Sequence, residues 1–164
     1  MEDQKVQKYP NNIIRKEIST FTNFKYWQLI FIRIYFFSLF LYLFTENFYS
    51  GTDVPLWLNI LGWSLASIGI FPFVFLSVLI IMNISKINRF LYDYQIKKRM
   101  RDWSILFFML TMILLLIEPI IPFFIEIFLI LGVSILSELN FRKNKEIIYD
   151  LNSILNKSTP PLHS

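Results

Sequence analysis

Residues 103–136 read WSILFFMLTMILLLIEPIIPFFIEIFLILGVSIL, an apolar run interrupted near its middle by Glu118, Pro119 and Pro122. As one helix it would extend roughly 50 Å at ~1.5 Å per residue, well beyond the ~30 Å hydrocarbon core of a bilayer. The prolines remove backbone donors and clash with the preceding turn, so a helix breaks there. The run is predicted to be a hairpin of two short spans, residues 103–118 and 120–137, turning at Glu118 to Pro122. The competing geometry is a re-entrant hairpin. It would leave backbone polar groups unsatisfied in hydrocarbon unless protein covered them, which favours crossing.

Two further apolar runs precede the hairpin, at 27–48 and 56–82. The predicted fold is an all-α integral membrane protein with four transmembrane helices. Residues 1–26 form a cytoplasmic tail, 27–137 the transmembrane domain, and 138–164 a cytoplasmic helix and tail. Hydrophobic residues make up 55% of the 164 and the mean hydropathy is +0.50, more apolar surface than a soluble domain of this size buries.

Orientation follows from lysine and arginine placement. Lys5, Lys8, Arg15, Lys16 and Lys25 precede the first span. Lys86, Arg89, Lys97, Lys98, Arg99 and Arg101 lie between the second and third, and Arg142, Lys143, Lys145 and Lys157 follow the fourth. The two remaining connections carry only Glu46, Asp53 and Glu118. Both termini are therefore expected on the cytoplasmic side. Trp27, Trp57 and Trp103 each open a span, where indole rings favour the headgroup level. The first span follows a hydrophilic tail and lacks a small-residue cleavage site, so it is expected to be an uncleaved signal anchor.

Outside the spans, three apolar stripes recur at helical spacing: Ile14, Ile18 and Phe21; Ile84, Ile87, Leu91 and Tyr94; and Ile147, Leu151, Ile154 and Leu155. They predict short amphipathic cytoplasmic helices, the last ended by Pro160 and Pro161. That last stripe fits a partner helix, and equally its own loop or the membrane surface. Lys97, Lys98, Arg99 and Arg101 form a basic cluster. One reading is recognition of anionic lipid headgroups; the simpler one is that they only set topology. The net charge of +4 is accounted for by this placement and gives no reason to expect nucleic acid.

Ionisable residues inside a membrane are functional candidates. Arg33 lies within the first span, where its side chain can reach back to the headgroups or serve a binding role. Glu118 shares a seven-residue spacing with Ser104 and Thr111, which fits a polar seam, or a wet turn with two hydroxyls bonded to their own backbone. Glu126, within Phe123-Phe124-Ile125-Glu126-Ile127-Phe128, is the most suggestive. A carboxylate there is protonated, paired, or close enough to the outer end to be wet. Arg33 is not its evident partner, being nearer the other face by roughly 15 Å on a ~30 Å core. Gly62, Ala66 and Gly69 align on one face of the second span and predict a close helix contact, within the chain or between copies.

Chemistry is sparse. There is no cysteine and the single histidine is His163, which removes thiolate sites, disulfides and histidine-based metal or haem sites. No Gly-rich phosphate loop, paired-aspartate motif or GxSxG elbow is present. No enzyme activity and no cofactor are expected. The expected partners are the lipid bilayer and a protein partner or second copy. The expected location is a membrane, the bacterial inner (plasma) membrane or an organelle equivalent. The expected role is a non-catalytic accessory, assembly or immunity/defence-type factor acting through helix contacts. The alternative is a small oligomeric transporter or channel with Glu126 as its proton or cation site.

With this topology the sequons Asn83-Ile84-Ser85 and Asn156-Lys157-Ser158 never meet the lumenal glycosylation machinery. Translation into microsomes should leave both unmodified, and a glycan on either contradicts the four-span arrangement.

Overall fold

A computed structural model describes residues 9–48, 54–117 and 123–157, and among them the chain is entirely helical. Four helices follow one another: α1 (Asn11–Phe48), α2 (Leu56–Asp93), α3 (Trp103–Ile117) and α4 (Phe123–Lys157). The turn at 118–122, including Glu118, lies outside the described residues, as does the Pro160-Pro161 stop. Two helices are long and apolar enough to cross a membrane: α1 over Asn11–Tyr42, and α2. α3 has 15 residues, roughly 22 Å by helix rise.

The amphipathic segments are not separate short helices. The stripe at Ile14 belongs to α1, that at Ile84 to α2 and that at Ile147 to α4, each continuous with an apolar run. The reason is local. α1 starts just after Pro10 and contains neither proline nor glycine to stop it. Pro72 is absorbed inside α2, and Gly132 inside α4. α2 ends where Gln95 takes a left-handed φ of 56°. The Gln95 N–H then donates to Tyr92 O and the Ile96 N–H to Leu91 O, both at 2.9 Å, which is the Schellman pattern. Ile96 packs against the core that holds Leu91, the apolar contact that accompanies this stop.

The three stripes converge on one another. Ile14, Ile18 and Phe21 join Ile84, Ile87 and Leu91, together with Ile147, Leu151 and Leu155, in a single core closed by Met100 from the α2–α3 connection. Ile154 is only half-buried. A second, smaller core joins Ile32 and Tyr35 of α1, Phe73 of α2, Phe108 of α3, and Ile130 and Val133 of α4. α1 packs on both α2 and α4, and α3 packs on α4. The edge-to-face pair Phe73–Phe108, with centroids 4.6 Å apart, closes α2 against α3.

The inward positions keep a seven-residue rhythm. α1 buries 14, 18, 21, 25, 28, 32 and 35, and α4 buries 130, 133, 137, 140, 144, 147 and 151. Alternating steps of three and four are the packing rhythm of nearly parallel helices. The outward positions change character along each helix. Exposed residues of α2 are apolar up to Met82 except for Asn59, Ser64 and Ser67, and polar at Ser85, Lys86 and Arg89. Those of α4 switch from Ile135 and Leu139 to Arg142 and Lys143, and those of α1 from Lys16, Ser19 and Asn23 to Tyr26 and Trp27. These switches, together with Arg101 before Trp103, divide the bundle into a polar-skinned half around the large core and an apolar-skinned half around the small one.

Of the predicted small-residue face, Gly69 makes the closest approach. A Cβ there would lie 2.6 Å from the Tyr35 backbone N and 2.8 Å from its Cα. Ala66 packs beside it against the small core. Gly62 has nothing within 4 Å of its own Cβ position among the described residues, so among them it takes no part in the contact. Gly69→Ala should push α1 from α2 at a cost of about 1–3 kcal/mol. Denaturant unfolding in mild detergent measures it, with Gly62→Ala expected to be silent in the monomer.

Candidate functional site

The rhythm of α1 places two polar side chains where apolar ones belong: Lys25 and Gln28 sit between Phe21 and Ile32 on the buried seam, and both are fully inaccessible. The Lys25 ammonium donates to Asp102 Oδ2 at 2.5 Å, Gln28 Oε1 at 2.5 Å and Ser137 Oγ at 2.7 Å, with Ser104 Oγ farther off at 3.5 Å. Three close acceptors match its three protons. Gln28 passes the network on, donating from Nε2 to Ser77 Oγ at 2.7 Å, and Ser77 in turn donates to Phe73 O. The result is a brace with side chains from all four helices or their immediate caps.

Asp102 has two functions here. It pairs with Lys25, and its other oxygen accepts from the Ser104 backbone N–H at 3.2 Å and from the Ser104 hydroxyl. That is the N-cap of α3, satisfying a donor the first turn leaves open. Its side chain is 2% exposed, so both charges of the pair are removed from water. Such a pair is sustained only with full hydrogen bonding, and deleting one member typically costs about 3–5 kcal/mol. The brace binds; it directs no free lone pair into a cleft.

Below the brace, asparagines fix the α2–α3 connection. Asn88 donates to Met100 O at 2.9 Å and accepts from Met100 N–H at 2.7 Å, while Asn144 donates to Arg101 O at 3.0 Å. The connection is thereby held against α2 and α4. Its outer side forms a groove of about 570 Å³ with α4, lined by Lys97, Lys98, Arg99, Arg101, Trp103 and Lys143, with Glu146 its single carboxylate. Lys98 bonds Asp150 at 2.8 Å. That hydrogen bond, and then the carboxylate's charge, raise the Lys98 pKa above its ordinary value, so it stays charged. Arg101 lies over the Trp103 ring at 5.8 Å. Among the described residues, Lys97, Arg99, Arg101 and Lys143 enter no ion pair.

The predicted candidates are thus dispersed. The basic cluster lines a groove. Arg33 is exposed on the apolar-skinned half and pairs at 3.3 Å with Glu138 of α4, which also holds Arg142. Ser104 and Thr111 both face inward; Thr111 donates to Phe107 O, whereas Ser104 belongs to the brace. Glu126 is carried by α4, but its side chain, like all of Glu118, lies outside the described residues. No group of three or more metal-ligating side chains occurs among the described residues. Sequence reasoning misses the brace when Lys25 is read only as a topology charge. Continuing the Ile14, Ile18, Phe21 spacing by four and three lands on Lys25 and Gln28, and that was the available signal.

Lys25→Met should lower unfolding stability in detergent by about 3–5 kcal/mol by stranding Asp102. Lys25→Met with Asp102→Asn should recover part of the loss, since asparagine still caps α3 without a charge. A double-variant loss equal to the sum of the losses of Lys25→Met and Asp102→Asn measured separately would show that the two residues are not coupled.

No protein-family model matches the chain, and no curated protein or solved structure matches it either.

Proposed function

We propose that the chain is a non-catalytic polytopic membrane protein that acts through helix contacts, as an accessory, assembly or immunity-type factor. The observation that supports this reading is the uncovered surface of α2. Leu56 is 75% exposed, Trp63 74% and Phe71 73%, within a face that also includes Ile60, Ile68 and Phe75. So broad an apolar face needs lipid or another protein against it. The same skin continues over Phe37 and Phe40 of α1, Leu106 and Leu110 of α3, and Phe128 and Ile135 of α4. In the proposed placement this half is in the bilayer with four crossings, and the polar-skinned half is in the cytoplasm with both termini. Trp27 and Trp103, each 51% exposed, then mark the inner headgroup level.

Gly62 supports the contact role. It lies two helical turns from Gly69 on the same side of α2, with nothing among the described residues within 4 Å of its Cβ position, and in lipid small residues so placed allow helices to approach closely. The buried polar side chains of the brace, in turn, tie the helices to one another.

The absence of cysteine makes the test clean. Single cysteines at Asn59 and Lys97 should label from opposite sides of the membrane. A photocrosslinking residue at Trp63 or Ile68 should yield a discrete protein adduct, a second copy or a partner, while one at Leu106 should not. Labelling of both cysteines from the same side removes the topology, and absence of any protein adduct from α2 removes the helix-contact role.

A further inference from the structure

The basic groove and the apolar skin meet. On α3, Trp103 at the groove is followed at helical spacing by Leu106, Leu110 and Ile113, which are 61%, 52% and 49% exposed. On α4, stepping back by four from Lys143 gives Leu139 and Ile135, 57% and 52% exposed, and further on Phe128 at 70%. Both walls of the cationic groove therefore run, without a change of helix face, into uncovered apolar stripes on neighbouring helices.

A soluble anion has no use for those stripes. A molecule with a phosphate at one end and acyl chains at the other fits both. We infer that the groove is a binding site for a phosphate-bearing anionic lipid of the cytoplasmic leaflet. Its headgroup is held by Lys97, Arg99, Arg101 and Lys143, and its chains lie along the α3 and α4 stripes. The four cations are without ion-pair partners among the described residues, so a phosphate displaces no existing salt bridge. The asparagine clamps on Met100 and Arg101 fix the backbone that carries three of them, so the cationic wall is already in place before a lipid arrives. Trp103 lies where ring and headgroup share a depth.

This inference rests on the proposed membrane placement, and the experiment separates the two. The full chain in neutral detergent is titrated with phosphatidylglycerol, phosphatidylcholine and inorganic phosphate, and bound species are counted by native mass spectrometry. Phosphatidylglycerol should bind at least about tenfold more tightly than phosphatidylcholine. Arg99→Gln with Lys143→Gln should weaken it about 25-fold, from roughly fivefold per basic residue. Lys16→Gln with Arg89→Gln removes the same charge elsewhere and should change binding less than about threefold. The charge-keeping pair Arg99→Lys with Lys143→Arg must retain the preference, which guards against a misfolded groove variant. Equal binding of both lipids, equal loss in the Lys16/Arg89 control, loss in the charge-keeping pair, or displacement of the lipid by inorganic phosphate at similar concentration would each overturn the site. If cysteine labelling still places Asn59 and Lys97 on opposite sides, the membrane reading survives that result; if labelling fails, it falls independently.

Discussion

An ammonium and a carboxylate taken out of water each carry a desolvation penalty of several kcal/mol, and mutual attraction offsets it only when every remaining donor and acceptor is satisfied. The Lys25–Asp102 pair meets that condition because α1, α2, α4 and the cap of α3 each supply a group at one level. The dependence is mutual: Asp102 is positioned by starting α3, and α3 starts there because Asp102 caps it. Ser137 reaches Lys25 only if α4 keeps the register set by Ile130 and Val133 above it and by Ile147 and Leu151 below. An apolar pair of equal volume would pack as tightly, but it would tolerate a slip of one helix along another. A charge pair with counted hydrogen bonds does not, so we assign the brace the role of fixing register, the best-attested use of buried polar groups at seam positions.

On either side of that level the forces differ. In the polar-skinned half, burying a side chain such as Ile87 or Leu151 removes it from water, at about 1.5–3 kcal/mol each, and association of the helices follows from the hydrophobic effect. In the apolar-skinned half, within the proposed bilayer, lipid solvates Ile130 as well as protein does, and that driving force vanishes. Close approach and shape must hold the helices instead. The composition of the two cores fits this division. The larger is mainly aliphatic, with Phe21, Phe90 and Phe141 buried among the stripes, whereas the smaller is built around Gly69 seated on the Tyr35 backbone and the Phe73–Phe108 ring pair.

Helix existence and the three amphipathic stripes were legible because both depend on periodicity, which is local. That the stripes continue the apolar runs was equally available, since nothing in α1 from Asn11 onward stops a helix, but the tail was divided at Trp27 on hydropathy alone. The partners of the stripes are not legible: Ile147 and Ile87 join one core only through tertiary packing, and one sequence does not state which amphipathic face meets which. At the site, the basic cluster was visible as charge, and its neighbour Lys143 was visible only as a separate tail residue. Lys25, Asp102 and Ser137 lie far apart in the chain, and each taken singly is ordinary. Arg33 was noticed as an intramembrane charge, but Glu138 was overlooked because it falls just past the predicted end of the last span.

The unbroken length of α1 also has a mechanical side. The helix extends roughly 35 Å from Lys25 to its Phe48 end and roughly 21 Å to its Asn11 end. If α1 pivots where the brace ties it to the other helices, it is a lever whose fulcrum is the brace. Displacing the outer tip sideways by about 3 Å swings the inner tip by about 2 Å in the opposite sense, at the cluster where Ile14 meets Leu155. In the proposed bilayer placement, thickness changes, lateral pressure or a neighbour pressing on the outer end of α1 would then be delivered, reversed and slightly reduced, to the polar-skinned half.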